Sequence, residues 1–124
     1  SANVPGQMST IKPISETHPW RQDRAVSETV KIKNAAVEIA AIVNKHKSSK
    51  IVLKCDTEGS EKEIFACLDA DNVLKSIDLI MLEYHFSYDR PIVELLKKNG
   101  FILFKQKTVT LKTGDFGMIR AIRT

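Results

Sequence analysis

Ile51-Val52-Leu53-Lys54-Cys55-Asp56-Thr57-Glu58-Gly59-Ser60-Glu61 is the stretch on which the reading of this chain turns. Its first three residues form a continuous apolar run, the mark of a parallel strand covered on both faces. Asp56 follows at once, so it belongs at the strand tip. Gly59 allows a tight turn or a close backbone approach. Ser60 and Glu63 have the spacing of a capping box, which predicts a helix start. Ile64, Phe65 and Leu68 supply that helix with a core face. Strand, acidic loop and helix in this order are one step of a parallel α/β sheet. In such sheets ligands bind outside the carboxyl ends of the strands.

The rest of the chain extends the pattern. Leu79-Ile80-Met81-Leu82 is a second two-sided apolar run, ending in Glu83-Tyr84-His85. Asp89 is placed to cap a helix with Pro91 in its first turn. Ile92, Leu95 and Leu96 face inward, and Gly100 is placed to end the helix. Phe101–Phe104 predicts a third strand and Phe116–Arg123 a fourth. The connection between them, Lys105–Asp115, is too short for a crossover helix, so the two should pair antiparallel. Upstream, Glu28–Lys33 alternates around Val30 and Ile32, which predicts a short half-exposed strand. Asn34 caps a helix over Ala35–His46 with Ala36, Ile39, Ala40 and Val43 on one stripe. Residues 1–27, with Pro5, Pro13 and Pro19, read as an irregular N-terminal connector that Trp20 pins to the domain. The expected fold is α/β, a mostly parallel sheet with helices on both faces and an antiparallel final strand.

With 124 residues the chain suits one small domain, and 43% hydrophobic residues suffice for a core. No apolar run approaches the roughly 20 residues of a membrane span. The start, SANVPGQMST, lacks the apolar block of a secretory signal. Its missing initiator Met suggests a processed or cut chain. Cys55 and Cys67 fit neither a zinc clip nor a redox pair and read as reduced thiols of a cytoplasmic protein. The net charge of +4 permits an anionic partner without demanding one. The basic run Lys45–Lys50 reads as a solvated turn, and no basic surface interleaved with aromatics suggests nucleic acid.

Two predicted strands end in clustered polar groups: Asp56, Glu58, Gly59 and Glu61 after the first, Glu83 and His85 after the second. If these strands are neighbours, the groups meet at one rim. Carboxylates there can bind a metal, accept hydrogen bonds from a cationic or hydroxyl-bearing ligand, or act as a general base. His85 can act as base or ligand. Capping of the following helix and stabilisation of its positive end are a competing explanation for Asp56, Glu58, Glu61 and Glu63, preferred for Glu63, whereas function is preferred for Asp56. Glu83 and His85 also read as an ordinary strand end.

The block Leu53–Glu61, followed by Ile64 and then by Asp78-Leu79-Ile80-Met81-Leu82-Glu83-Tyr84-His85, resembles the C-terminal half of FkbM-type methyltransferases. Leu95–Phe101 is similar to that family's next helix-to-strand step. The resemblance covers residues 28 to about 104. It implies a partial doubly wound, Rossmann-like methyltransferase sheet, with 28–124 as the C-terminal part of the domain. It implies S-adenosylmethionine as cofactor and methyl transfer, chiefly to oxygen, on a small-molecule or sugar acceptor. By resemblance Asp56 and His85 are catalytic, Asp56, Glu58 and Gly59 lie on the cofactor side, and Glu61, Glu83 and His85 on the acceptor side. No metal ligand is assigned. The family's Gly-rich cofactor loop has no counterpart, since the five glycines stand at 6, 59, 100, 114 and 117. The chain is therefore expected to be a C-terminal fragment.

Two other readings stand beside this one. A phosphatase-like domain would use Asp56 as nucleophile. A non-catalytic α/β domain would only bind a partner, and a partial sheet would self-associate through an exposed edge. No membrane partner is expected.

Overall fold

The computed structural model describes residues 28–124. The expected connector over 1–27 and the role given to Trp20 lie outside the described residues. Helix α1 spans Ala35–Lys45, strand β1 Val52–Cys55, helix α2 Glu61–Ala70 and strand β2 Leu79–Tyr84. A short 3-10 turn, Val73–Ser76, precedes β2. Helix α3 (Asp89–Lys98) and the hairpin strands β3 (Phe101–Leu111) and β4 (Gly114–Arg123) follow.

Each helix forms where its apolar spacing and caps dictate. Asn34 accepts the Val37 N–H at 3.0 Å and opens α1, which buries Ala36 against the core. Helix α2 starts one residue after Ser60, but the Ser60 side chain makes no capping bond. Glu61 takes over that work by folding back on the loop before it, as described below. In α3 the N-cap position belongs to Tyr88, and Asp89 is the first helical residue, accepting from Lys105 Nζ at 2.8 Å. Gly100 follows the last turn, as its placement in the sequence predicts.

The sheet order is β1-β2-β4-β3. Only β1 and β2 are parallel; β4 runs antiparallel to both β2 and β3. The sheet is therefore mixed, with one parallel pair, and not mostly parallel. The hairpin accounts for this. Both of its strands are longer than the apolar cores of Phe101–Phe104 and Phe116–Arg123 suggest. The polar residues between them pair as far as Leu111 with Gly114, across a bulge at Lys107/Val109. The chain thus turns back without a crossover, and β4 docks beside β2.

The helices pack on one face of the sheet. Ile80, Leu82, Ile119 and Ala121 point into a core shared with Phe65 and Leu68 of α2 and Ile92 and Leu96 of α3. The other face is bare among the described residues. One register row crosses the whole sheet there, Val52, Leu79, Ile122 and Ile102, and three of these four are exposed. Among the described residues β1 and β2 are accordingly covered on one face. Their apolar runs belong to a sheet side that these residues leave open.

The strand expected over Glu28–Lys33 is not formed. Val30 and Ile32 are 58% and 71% exposed. Alternation fits a pleated surface, but a strand needs a partner for its ladder, and no described strand lies beside this one.

Candidate functional site

β1 and β2 are parallel neighbours in register, Cys55 beside Leu82, so their carboxyl ends open at the same rim. The loop after β1 carries Asp56–Ser60 and the end of β2 carries Glu83–His85. Asp56, Glu58 and His85 each offer a ligand atom, and these atoms lie within 4.8 Å of one another. The structure therefore brings together the two clusters that the sequence could only place on separate strands.

Glu61 organises the loop. Its side chain is fully buried. Its Oε1 accepts the Thr57 N–H at 3.1 Å, the Thr57 hydroxyl at 3.0 Å and the Gly59 N–H at 3.0 Å. The same oxygen meets His85 Nδ1 at 3.1 Å. Its Oε2 is buried with no hydrogen-bond partner. Burial by itself would raise the Glu61 carboxyl. The hydrogen bonds from His85 and Gly59, with the imidazolium charge, hold it below its ordinary value instead.

His85 is 2% exposed. Its Nε2 lies 3.2 Å from Glu58 Oε2 and 3.9 Å from Glu83 Oε1. Burial disfavours the charged ring, but the hydrogen bonds and charges of Glu58 and Glu61 overcome it and raise His85 to about 10. At neutral pH the ring carries both protons, held between two carboxylates. Glu83 is pushed above its usual range, first by burial and then by the negative charge of Asp56. Cys55, 5% exposed beneath the loop, is pushed to about 12 by burial and by Glu61. It is a neutral core thiol.

The backbone around these groups is strained. Glu58 has φ of 53°, and Phe86 and Ser87 have 56° and 59°, all in the left-handed region that non-glycine residues rarely adopt. Gly59, at φ of 116°, sits between Glu58 and the helix start. Residues held in such conformations cluster at sites where the surrounding structure over-determines them. Here the determinants are visible. Ser87 N–H donates to the Asp115 carbonyl at 2.9 Å, and Asp115 N–H donates to Ser87 Oγ at 2.9 Å.

That clamp brings in residues missed by the sequence reading. The Phe116 ring meets His85 edge-on with centroids 5.2 Å apart, and Phe86 lies 5.3 Å from Phe116. Together with Tyr88, 5.7 Å from Phe86, they form an aromatic wall beside the acids. The run His85-Phe86-Ser87-Tyr88 was a signal for two of these. Nothing local pointed to Phe116, which reaches the rim only because β4 pairs with β2.

A separate hollow of about 400 Å³ lies at the other end of the strands. It is lined by residues such as Val43, Lys47, Lys50 and Asp78, and holds none of the rim acids. Among the described residues no helix is long and apolar enough to cross a membrane.

The tips of two parallel neighbouring strands in this α/β domain thus carry Asp-x-Glu-Gly-x-Glu and Glu-x-His side by side, at the sheet end where such folds bind ligands. The profile of the methyltransferase FkbM domain matches residues 3–103. The chain belongs to the FkbM methyltransferase family. No curated protein and no solved structure matches it.

Proposed function

We propose that the chain takes part in S-adenosylmethionine-dependent methyl transfer to a hydroxyl oxygen of a small molecule or sugar, with the acidic rim as the acceptor side. The supporting observation is the meeting of Asp56, Glu58 and His85 at adjacent strand tips, inside the span that matches the family. S-adenosylmethionine supplies a methyl group activated on a sulfonium. The rim carboxylates suit its positive charge, but the chain has no Gly-rich turn from strand to helix to cradle the nucleoside. The described residues therefore do not form a holder for the whole cofactor.

The chain's own residues have three tasks. Asp56 is exposed at the tip of β1 and accepts the proton of the acceptor hydroxyl. Glu83, partly exposed, accepts a hydrogen bond from a further acceptor group. His85 has both ring nitrogens turned to carboxylates, so it orients Glu58 and Glu61 and leaves proton abstraction to Asp56. The exclusion of water and the alignment of the acceptor fall to Phe86, Tyr88 and Phe116.

The test is transfer of a labelled methyl group from S-adenosylmethionine to a panel of hydroxylated small molecules and sugars by the full chain. Loss of a general base lowers the rate by about 10²–10⁴-fold, which is the result expected for Asp56→Asn. Equal transfer by wild type and Asp56→Asn removes Asp56 from the chemistry. The missing Gly-rich turn favours a second reading, a domain that binds without catalysing. Folded protein that transfers no methyl to any acceptor supports it.

A further inference from the structure

We propose that the hollow at the amino ends of β1 and β2 binds the phosphate group of a small soluble phosphate ester. The methyl-transfer reading uses the opposite ends of these strands, so the two are independent. Ile51 and Asp78, the residues just before β1 and β2, both line the hollow. Its volume of about 400 Å³ lies within the roughly 300–1,000 Å³ of small-molecule pockets.

The charges that line it come from segments far apart in the sequence. Lys47 and Lys50 belong to the loop between α1 and β1, and Lys75 to the 3-10 turn before β2. The parallel pairing of β1 with β2 brings both segments to one hollow. The acid in its lining, Asp78, is already engaged. Its Oδ2 accepts the Ile51 N–H at 2.8 Å, and its Oδ1 meets Lys50 Nζ at 3.4 Å. Among the described residues neither Lys47 nor Lys75 makes an ion pair. Two like charges thus share a concave surface without a counter-charge. A cleft lined by one sign of charge concentrates ligands of the other.

Hydrogen-bond donors supply the second observation. Ser48, Ser49 and Ser76 line the same hollow, and among the described residues their hydroxyls have no partner. Each can donate one hydrogen bond. Ser49 N–H donates to the His46 carbonyl at 2.9 Å and closes the turn that presents Lys47 and Ser48. His46 N–H donates to the Ile42 and Val43 carbonyls, so the negative end of α1 is capped. A phosphate ester carries close to two negative charges at neutral pH and three terminal oxygens. It answers both free ammonium groups and the three hydroxyls, whereas a carboxylate leaves one lysine unanswered. Lysine binds phosphate as a point charge, which needs no fork geometry. The concave wall suits a small ester and not the flat face of a membrane.

The experiment is titration of the isotopically labelled full chain with glycerol phosphate, read from the amide resonances of Lys47, Ser48, Ser49 and Ser76. Saturable shifts are expected with the ester, and none with glycerol or with chloride at the same ionic strength. Affinity should be about tenfold weaker in Lys47→Gln and in Lys75→Gln, each of which removes a charged donor. Both lysines are exposed, so the variants keep the fold. No saturation in the millimolar range, equal shifts from chloride, or unchanged affinity in both variants overturns the site. Binding confined to phosphatidylserine vesicles, without shifts from glycerol phosphate, overturns it as well. None of these outcomes involves methyl transfer.

Discussion

At the scale of single residues, Glu61 carries more of the site than any group that faces solvent. One buried oxygen receives two backbone N–H groups, a hydroxyl and an imidazolium. Breaking a buried charge pair by removing one partner typically costs about 3–5 kcal/mol, because the other charge stays buried and uncompensated. An amide keeps the shape and part of the acceptor capacity. Glu61→Gln should therefore lower unfolding stability by roughly 2–3 kcal/mol in urea titration, somewhat less than full removal. A loss below a few tenths of a kcal/mol would show that the oxygen does not hold the loop. The sequence marked Glu61 as an acceptor-side residue or as a charge at a helix start. It did not reveal the buried hub, because Thr57, Gly59 and His85 converge on Glu61 only when β1 and β2 lie side by side. Asp56 was legible for the opposite reason: an acid directly after an apolar run sits at a strand tip wherever the strand goes.

At the scale of elements, two side chains tie the strand ends together. The Arg123 guanidinium, on β4, donates to the Leu74 and Asn99 carbonyls at 2.6 Å each and to the Ile77 carbonyl at 3.1 Å. It also stacks over Phe101 at 4.3 Å. One planar fork thus joins the 3-10 turn, the end of α3 and the hairpin. Lysine has no fork, so Arg123→Lys should cost about 1–3 kcal/mol in the same titration. Asp78 has the matching role at the start of β2. The Ile51 N–H donates to its carboxylate at 2.8 Å, and Arg123 N–H donates to its backbone carbonyl. The Ile51 bond and the nearby Lys50 hold the Asp78 carboxyl below its ordinary 3.8. A lowered carboxyl contributes stability that is present above its ordinary value and lost as pH falls through the lowered one. The urea midpoint of Asp78→Asn should accordingly fall less steeply than wild type below pH 3.8. Parallel slopes would show that Asp78 makes no such contribution. The helices themselves were readable from spacing and caps, since Asn34, Pro91 and Gly100 act within one turn of their own positions. The Glu28–Lys33 strand was not, because alternation states a preference while a ladder needs a neighbour.

At the scale of the whole molecule, one sheet face carries the core and the other is open among the described residues. Phe65 is 0% exposed among the helices, whereas Phe104, on the bare face, is 66% exposed. Phe65→Ala should cost about 3–5 kcal/mol through lost burial and a cavity. Phe104→Ser should stay within about 0.5 kcal/mol, as exposed substitutions do. A large loss at Phe104 in the full chain would mean that something covers this face. From the sequence by itself came the α/β class, the positions of three helices and four strands, and the acids at two strand tips. Each rests on periodicity, capping or turn chemistry, which act over a few residues. Only the tertiary structure decided that β4 enters between β2 and β3, that the helices share one face, and that Phe116 stands against His85. It alone placed the His85 ring between Glu58 and Glu61. Strand pairing is a contact between distant segments, chosen by hydrogen-bond ladders and by burial of a shared face. A histidine's proton answers to groups within a few ångströms, and those distances exist only once the strands have paired.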